Sequence, residues 1–204
     1  PEEFYGNLFV GEVANNLAYR ARLEQRGIEL AAWRADPDKE FLASRDSWFR
    51  PVQFANGPDG ALYVVDMYRQ LIEGAAFVPR NALEALDPSL GTNHGRIYRI
   101  VPQDYRRRPW PRLDKLDTHE LVGLLAHPNG WHRDTAARLL SERRDAAAID
   151  PLTETARNSD SPQARLLGLS ALQAFDALRD DLLISSLDDA SPRVRVHAIR
   201  LAEL

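Results

Sequence analysis

The apolar residues of this chain change their period across one short stretch rich in proline and arginine, YRRRPWPRLDKL (105–116). Upstream they alternate with polar residues, the period of a half-buried strand. Downstream they recur three and four positions apart, the period of an amphipathic helix. Pro109 and Pro111 forbid a regular helix through the junction. One layer of secondary structure therefore cannot run through the chain. It reads as a strand-built segment over 1–104, a linker over 105–116 and a helical segment over 117–204.

In the first segment, YGNLFVG (5–11), LAYRARL (17–23), GIELAAW (27–33), VQFA (52–55), ALYVVD (61–66) and GRIYRIV (95–101) each read as a short strand. Turn residues separate them, a pattern of sandwiches, barrels and propellers. Asn56-Gly57-Pro58-Asp59-Gly60 predicts a tight strand–turn–strand. Pro58 presets φ there and the glycines accept positive φ. Residues 70–94 hold Gly74, Pro79, Pro88 and Gly91, with one helical turn expected at 80–86. An excursion of that length is long for a plain hairpin loop.

In the second segment six helices are expected, over 117–127, 131–143, 146–157, 161–175, 179–189 and 191–204. Asp117 or Thr118 caps the first, with Glu120 placed for a capping box. Superposing the segments puts Arg133, Arg165 and Arg195 in register, 32 and 30 residues apart, with Ala136, Gly168 and Ala198 three positions further on. Pro162 and Pro192 fall at helix starts, where a missing N–H costs nothing. A helix pair about every 30 residues is the signature of an α-solenoid. The pattern over 117–204 resembles HEAT repeats.

Composition bounds what such a chain can do. At 204 residues a globule buries roughly 70% of its unfolded surface, enough for a sizeable core. The net charge of −4 gives no overall attraction to nucleic acid or anionic membrane. Lys39 and Lys115 are the only lysines among 26 basic residues. The run Arg106-Arg107-Arg108 reads as a solvated cluster, with a phosphate or a partner as the alternative. The absence of cysteine excludes disulfides, thiolate metal sites, a cysteine nucleophile and covalent haem attachment within these residues. No apolar run approaches the ~20 residues that span a bilayer. The chain opens on Pro1 with no leader pattern, as expected of a piece of a longer protein. Phosphate-loop, dinucleotide, zinc-protease and serine-hydrolase motifs are absent. His119, His127, His132 and His197 lack metal-ligand spacing, and Trp131 reads as core between helix pairs.

Three strings carry a further resemblance: EFLASRDSWFRPVQFANGPDGALYVVDMYRQLIE (40–73), GRIYRIVP (95–102) and LLAHPNGWHRDTAARLLSER (124–143). In that order they resemble the membrane-bound dehydrogenase-like proteins of planctomycetes. Those proteins join a propeller related to soluble glucose/sorbosone dehydrogenases to a HEAT-like region and, often, a c-type cytochrome domain. The resemblance implies an α+β chain of two segregated parts: the terminal blades of an antiparallel β-propeller, about one and a half of them, followed by HEAT-like helix pairs. A complete propeller needs roughly four to eight blades. Upstream blades of the parent are thus implied as partners, because an incomplete ring leaves sheet edges open. An extracytoplasmic, periplasmic location is implied as well.

The same resemblance assigns roles to residues. Trp48-Phe49-Arg50-Pro51-Val52 stands where the quinoprotein enzymes carry a basic pair against pyrroloquinoline quinone. Arg50 occupies the second basic position and can clamp a carboxylate through its fork. Trp48 replaces the first basic residue and Pro51 replaces an aspartate. The catalytic histidine and a calcium loop are implied upstream, outside these residues. From the residues themselves, Asp66, Tyr68 and Arg69 follow a strand end and are candidates for a rim that contacts substrate. Trp48 and Phe49 are candidates to stack on a sugar ring or to form core, and Arg50 to pair with Asp46, Asp66 or a carbonyl. His94 in Asn93-His94-Gly95 is a candidate base or ligand, and Glu73 has no evident partner. Two readings follow. In one, the chain is part of a quinone-dependent sugar or alcohol oxidoreductase that needs its parent for turnover. In the other, it is a carbohydrate- or protein-binding propeller end with a helical scaffold that takes a partner on its concave side.

Overall fold

The computed structural model describes residues 2–72, 74–84, 86–87, 89–106, 109 and 111–203. The chain divides into two compact units, Pro1–Arg107 and Arg108–Leu204. Among the described residues the first carries two antiparallel sheets and the second six α-helices. Arg107, Arg108, Pro88 and Glu73 lie outside the described residues.

All six expected strands are present in the first unit. β1 (Asn7–Glu12), β2 (Leu17–Arg26) and β3 (Glu29–Arg34) form a meander. A two-residue strand, β4 (Leu42–Ala43), pairs with Leu17 and Ala18 on the edge of β2 that β3 also uses. Two residues cannot display an alternation, so β4 has no signature in the sequence. The second sheet runs β5 (Pro51–Asn56), β6 (Leu62–Asp66), β7 (Arg96–Ile100), with a register shift at Val52. Among the described residues neither sheet closes into a barrel. The two sheets meet where β1 crosses β5: a Cβ on Gly11 would lie 2.2 Å from the Pro51 carbonyl oxygen. Among the described residues the excursion between β6 and β7 contains a 3-10 turn (Ala75–Phe77) and a short α-helix, α1 (Arg80–Leu83).

The turn at 56–60 separates two uses of glycine. Gly60 adopts φ +80° and donates to the Gly57 carbonyl. Gly57 is required for space instead: a Cβ there would sit 2.3 Å from the Tyr63 ring. Asp59 fastens this end of the sheet. It accepts from the Ala61 amide at 3.1 Å and from the hydroxyls of Tyr63 and Tyr105 at 3.1 and 3.0 Å. Tyr105, at the head of the proline-rich stretch, therefore belongs to the sheet unit, whereas Leu113 at its tail is buried among the helices.

The second unit contains α2 (Thr118–Gly123), α3 (Gly130–Arg143), α4 (Ile149–Asn158), α5 (Pro162–Ala174), α6 (Asp180–Ser186) and α7 (Pro192–Ala202). Asp117 is the N-cap of α2, and with Glu120 it completes the reciprocal capping box. Leu121, Leu125, Leu140, Leu152, Leu169, Leu172 and Leu182 are fully buried along the stack, and Trp131 packs on that core. Gly168 lets α5 approach α4: a Cβ would meet Ala156 Cβ at 3.1 Å and the Leu152 carbonyl at 3.2 Å. Gly168→Val is therefore expected to destabilise this unit by about 2 kcal/mol through overpacking. Urea denaturation followed by helical circular dichroism checks it.

The arginines in register have one common job. Arg133 Nη1 donates to the His127 and Pro128 carbonyls at 2.6 and 2.9 Å. Arg165 Nη1 donates to Ser159 O at 2.7 Å, and Arg195 Nη1 to Asp189 and Ala190 O at 2.7 and 3.2 Å. Each reaches back six residues and braces the turn that precedes its own helix. Arg165 adds a bidentate pair with Asp189, both contacts at 2.7 Å. These hydrogen bonds hold the Asp189 carboxyl below the usual carboxylate range, against the opposing effect of partial burial.

Candidate functional site

The polar cluster with the most buried charge lies where β6 ends. Asp66 closes β6 with its side chain fully buried. One oxygen, Oδ1, accepts from the backbone amides of Arg50 (2.8 Å) and Tyr68 (2.9 Å), tying the start of β5 to the segment after β6. The other, Oδ2, is buried and has no hydrogen-bond donor. Its nearest cation atom is Arg96 Nε, at 3.8 Å, from the residue directly opposite Asp66 on β7. A buried carboxylate oxygen without a donor is uncommon and costs free energy unless something completes it.

Arg50 is 7% exposed, and its guanidinium turns inward. Nε donates to Arg69 O at 3.0 Å, Nη1 to Val13 O at 2.6 Å and Nη2 to Gln70 O at 2.7 Å. Of the three partners the sequence offers it, the carbonyls are the ones used. Asp46 instead caps the Trp48 amide, at 3.0 Å. Phe49 is buried and stands edge-on to Tyr98 at 6.0 Å, so it is core and not a stacking platform.

Tyr68 has φ +51°, a left-handed conformation that a bulky side chain adopts only when its surroundings enforce it. The enforcement is visible. Met67 and Arg69 donate their amides to the Arg50 and Trp48 carbonyls on either side. The Tyr68 ring lies between Trp48, at 5.6 Å, and His94, at 6.2 Å, and the Arg96 guanidinium covers it at 3.8 Å. Arg69 Nη1 donates to the carbonyls of Met67, Tyr68 and Gly91. Gly91 makes that approach feasible: at φ +89° any Cβ would fall 2.2 Å from Tyr68 O.

Six of the residues singled out in the sequence, Trp48, Arg50, Asp66, Tyr68, Arg69 and His94, thus share one sheet end, while Glu73 lies outside the described residues. Arg96 and Gly91 were missed. The Arg96–Asp66 pairing depends on the β6–β7 register, which an excursion of nearly thirty residues hides. The hydrogen bond from Arg96 to the Tyr98 hydroxyl raises the arginine's pKa above its ordinary value, with desolvation opposing. Beside the cluster is an open groove of about 320 Å³ with Val52, Val65, Met67 and Ile97 as its apolar floor and Asp66 and Arg96 at its polar side. Among the described residues no group of three or more His, Asp or Glu could hold a metal ion. The arrangement offers an acceptor, a guanidinium and an apolar floor, which suits binding. Among the described residues of the cluster no nucleophile stands in hydrogen-bond reach of a base.

A domain of unknown function, DUF7133, matches residues 1–104, just over half of the chain. The chain belongs to the DUF7133 family. The DUF7133 match takes in both sheets, the excursion and every residue of the cluster, and it stops before the helical unit begins. No curated protein and no solved structure matches the chain.

Proposed function

We propose that this chain is a binding and scaffolding segment: the end of a dehydrogenase-like β-propeller that holds a carbohydrate or protein ligand without oxidising it, joined to a HEAT-type scaffold. The observation that carries this reading is the commitment of Arg50. A quinone with three carboxylates needs exposed cations, and here the guanidinium has three donors on backbone carbonyls. Trp48, in the other basic position, carries no charge and packs on Tyr68. The residues present do not fit pyrroloquinoline quinone. The incomplete-propeller part of the reading draws support from the core. Among the described residues the buried apolar side chains of the sheet unit are mostly small (Ala18, Ala21, Ala61, Val64 and Pro51, with Phe49), while Leu30, Trp33, Val52, Ile97 and Tyr98 remain exposed on its sheets. Neighbouring blades of a larger, extracytoplasmic parent would cover such faces.

A second reading, part of a quinone-dependent sugar oxidoreductase feeding a c-type cytochrome domain, is favoured by the gathering of Asp66, Tyr68, Arg69 and His94 at one sheet end. The two separate in one experiment. The complete parent is loaded with pyrroloquinoline quinone and calcium, and dye reduction is followed with a panel of sugars. The expected result is no dye reduction and no quinone binding by calorimetric titration. Saturable quinone binding with sugar-dependent turnover overturns the binding-module reading.

A further inference from the structure

The corner that leads into α3 is built around a histidine. His127 Nδ1 accepts the Asn129 amide at 3.0 Å, and Asn129 Oδ1 in turn caps the Trp131 amide at 3.0 Å. Arg133 Nη1 closes the turn over the His127 and Pro128 carbonyls. The rings of His127 and His132 are tilted against each other, centroids 4.2 Å apart with 32° between planes, and Trp131 stands edge-on to His132 at 5.2 Å. A ring nitrogen that accepts a hydrogen bond carries no proton, so this corner closes only on a neutral His127.

We propose that this corner is an acid-operated catch: a proton on His127 Nδ1 removes the acceptor of the Asn129 amide and sets a second positive charge beside Arg133, so that the turn seating α3 lets go. The surroundings supply little to offset that charge. His132 and Arg133 of α3 are the charged or titratable groups that act on the ring. Asp134 of α3 is exposed to solvent and does not act on the ring, and the following groups on the packed elements are engaged elsewhere. Glu120 of α2 is bonded to the Asp117 amide, and His119 acts on Asp145. Arg165 of α5 is held by Ser159 and Asp189, and Asp114 of the turn Leu113–Lys115 by Arg112. The direction agrees: burial, then the neighbouring His132, holds His127 below the ordinary imidazole value. The neutral ring is thus favoured by the fold. Its contribution is complete above the unfolded value of about 6.5 and is lost as pH falls below that through the folded value.

Hydrogen exchange on the full chain tests the catch, at about pH 7.5 and about pH 5, with intrinsic rates divided out. Protection of the amides at 129, 131, 132 and 133 is expected to fall about tenfold in the wild type. In His127→Asn, whose amide oxygen can accept but does not titrate, it is expected to change by no more than about twofold. An equal fall in both proteins, or none in the wild type, overturns the proposal. If the variant does not fold, nitrogen-detected imidazole spectra of the wild type decide. The proposal holds if the Asn129 amide resonance follows the His127 titration. It fails if that resonance is unmoved, or if Nδ1 carries the proton at neutral pH.

Discussion

Arg50→Met is expected to destabilise the sheet unit by about 4 kcal/mol. The substitution keeps the side chain's apolar volume and removes three donors, leaving the carbonyls of Val13, Arg69 and Gln70 without their partner. Each orphaned buried acceptor costs about 1–3 kcal/mol, reduced here by whatever water can enter. Arg50→Lys should recover less than half of the loss, since one ammonium cannot reach three divergent carbonyls. Urea titration followed by hydrogen exchange of the β6 amides reports the change. A protein of unaltered stability would mean that the three carbonyls do not commit Arg50, which would leave it available to a quinone and remove the observation that carries the binding-module reading.

The second large effect is expected in the helical unit. Arg165→Met leaves Asp189, 11% exposed, without its bidentate partner. Removing one member of a largely buried pair costs about 3 kcal/mol. The double variant Arg165→Met/Asp189→Leu should regain most of it, because the uncompensated carboxylate is gone as well. Acid titration adds a signature. In the wild type the Asp189 carboxyl lies below its unfolded value of 3.8. Its contribution is therefore present above that value and lost as pH falls through the folded one. In Arg165→Met this acid-side loss shrinks, and helical circular dichroism against pH shows the difference. An Arg165→Met protein with the wild-type acid profile would refute the assignment.

Much of the architecture was legible because it depends on local periodicity. The strands at 17–23 and 61–66 announced themselves by alternation, and the helices by start signals such as the cap Asp117 and Pro162, which sit beside their own targets. The site residues were legible as a set for a similar reason: Trp48, Arg50, Asp66, Tyr68 and Arg69 all flank one hairpin. Their roles were not. Whether Arg50 faces a ligand or three carbonyls depends on Val13, nearly forty residues away in the turn that follows β1. Arg96 joins Asp66 only through strand register, which a short pattern cannot fix across an excursion. The repeating arginines showed the period of the helix pairs but not their targets, since a backbone carbonyl has no letter in the sequence.

The six-residue reach of those arginines has a dynamic consequence. An interaction between residues so close in the chain closes a very small loop and loses little entropy in forming, which favours quick assembly. Every helix pair also brings its own fastening along. Duplication or deletion of such a pair would leave the neighbouring turns intact, a route by which the helical arm could change length while the sheets stay as they are.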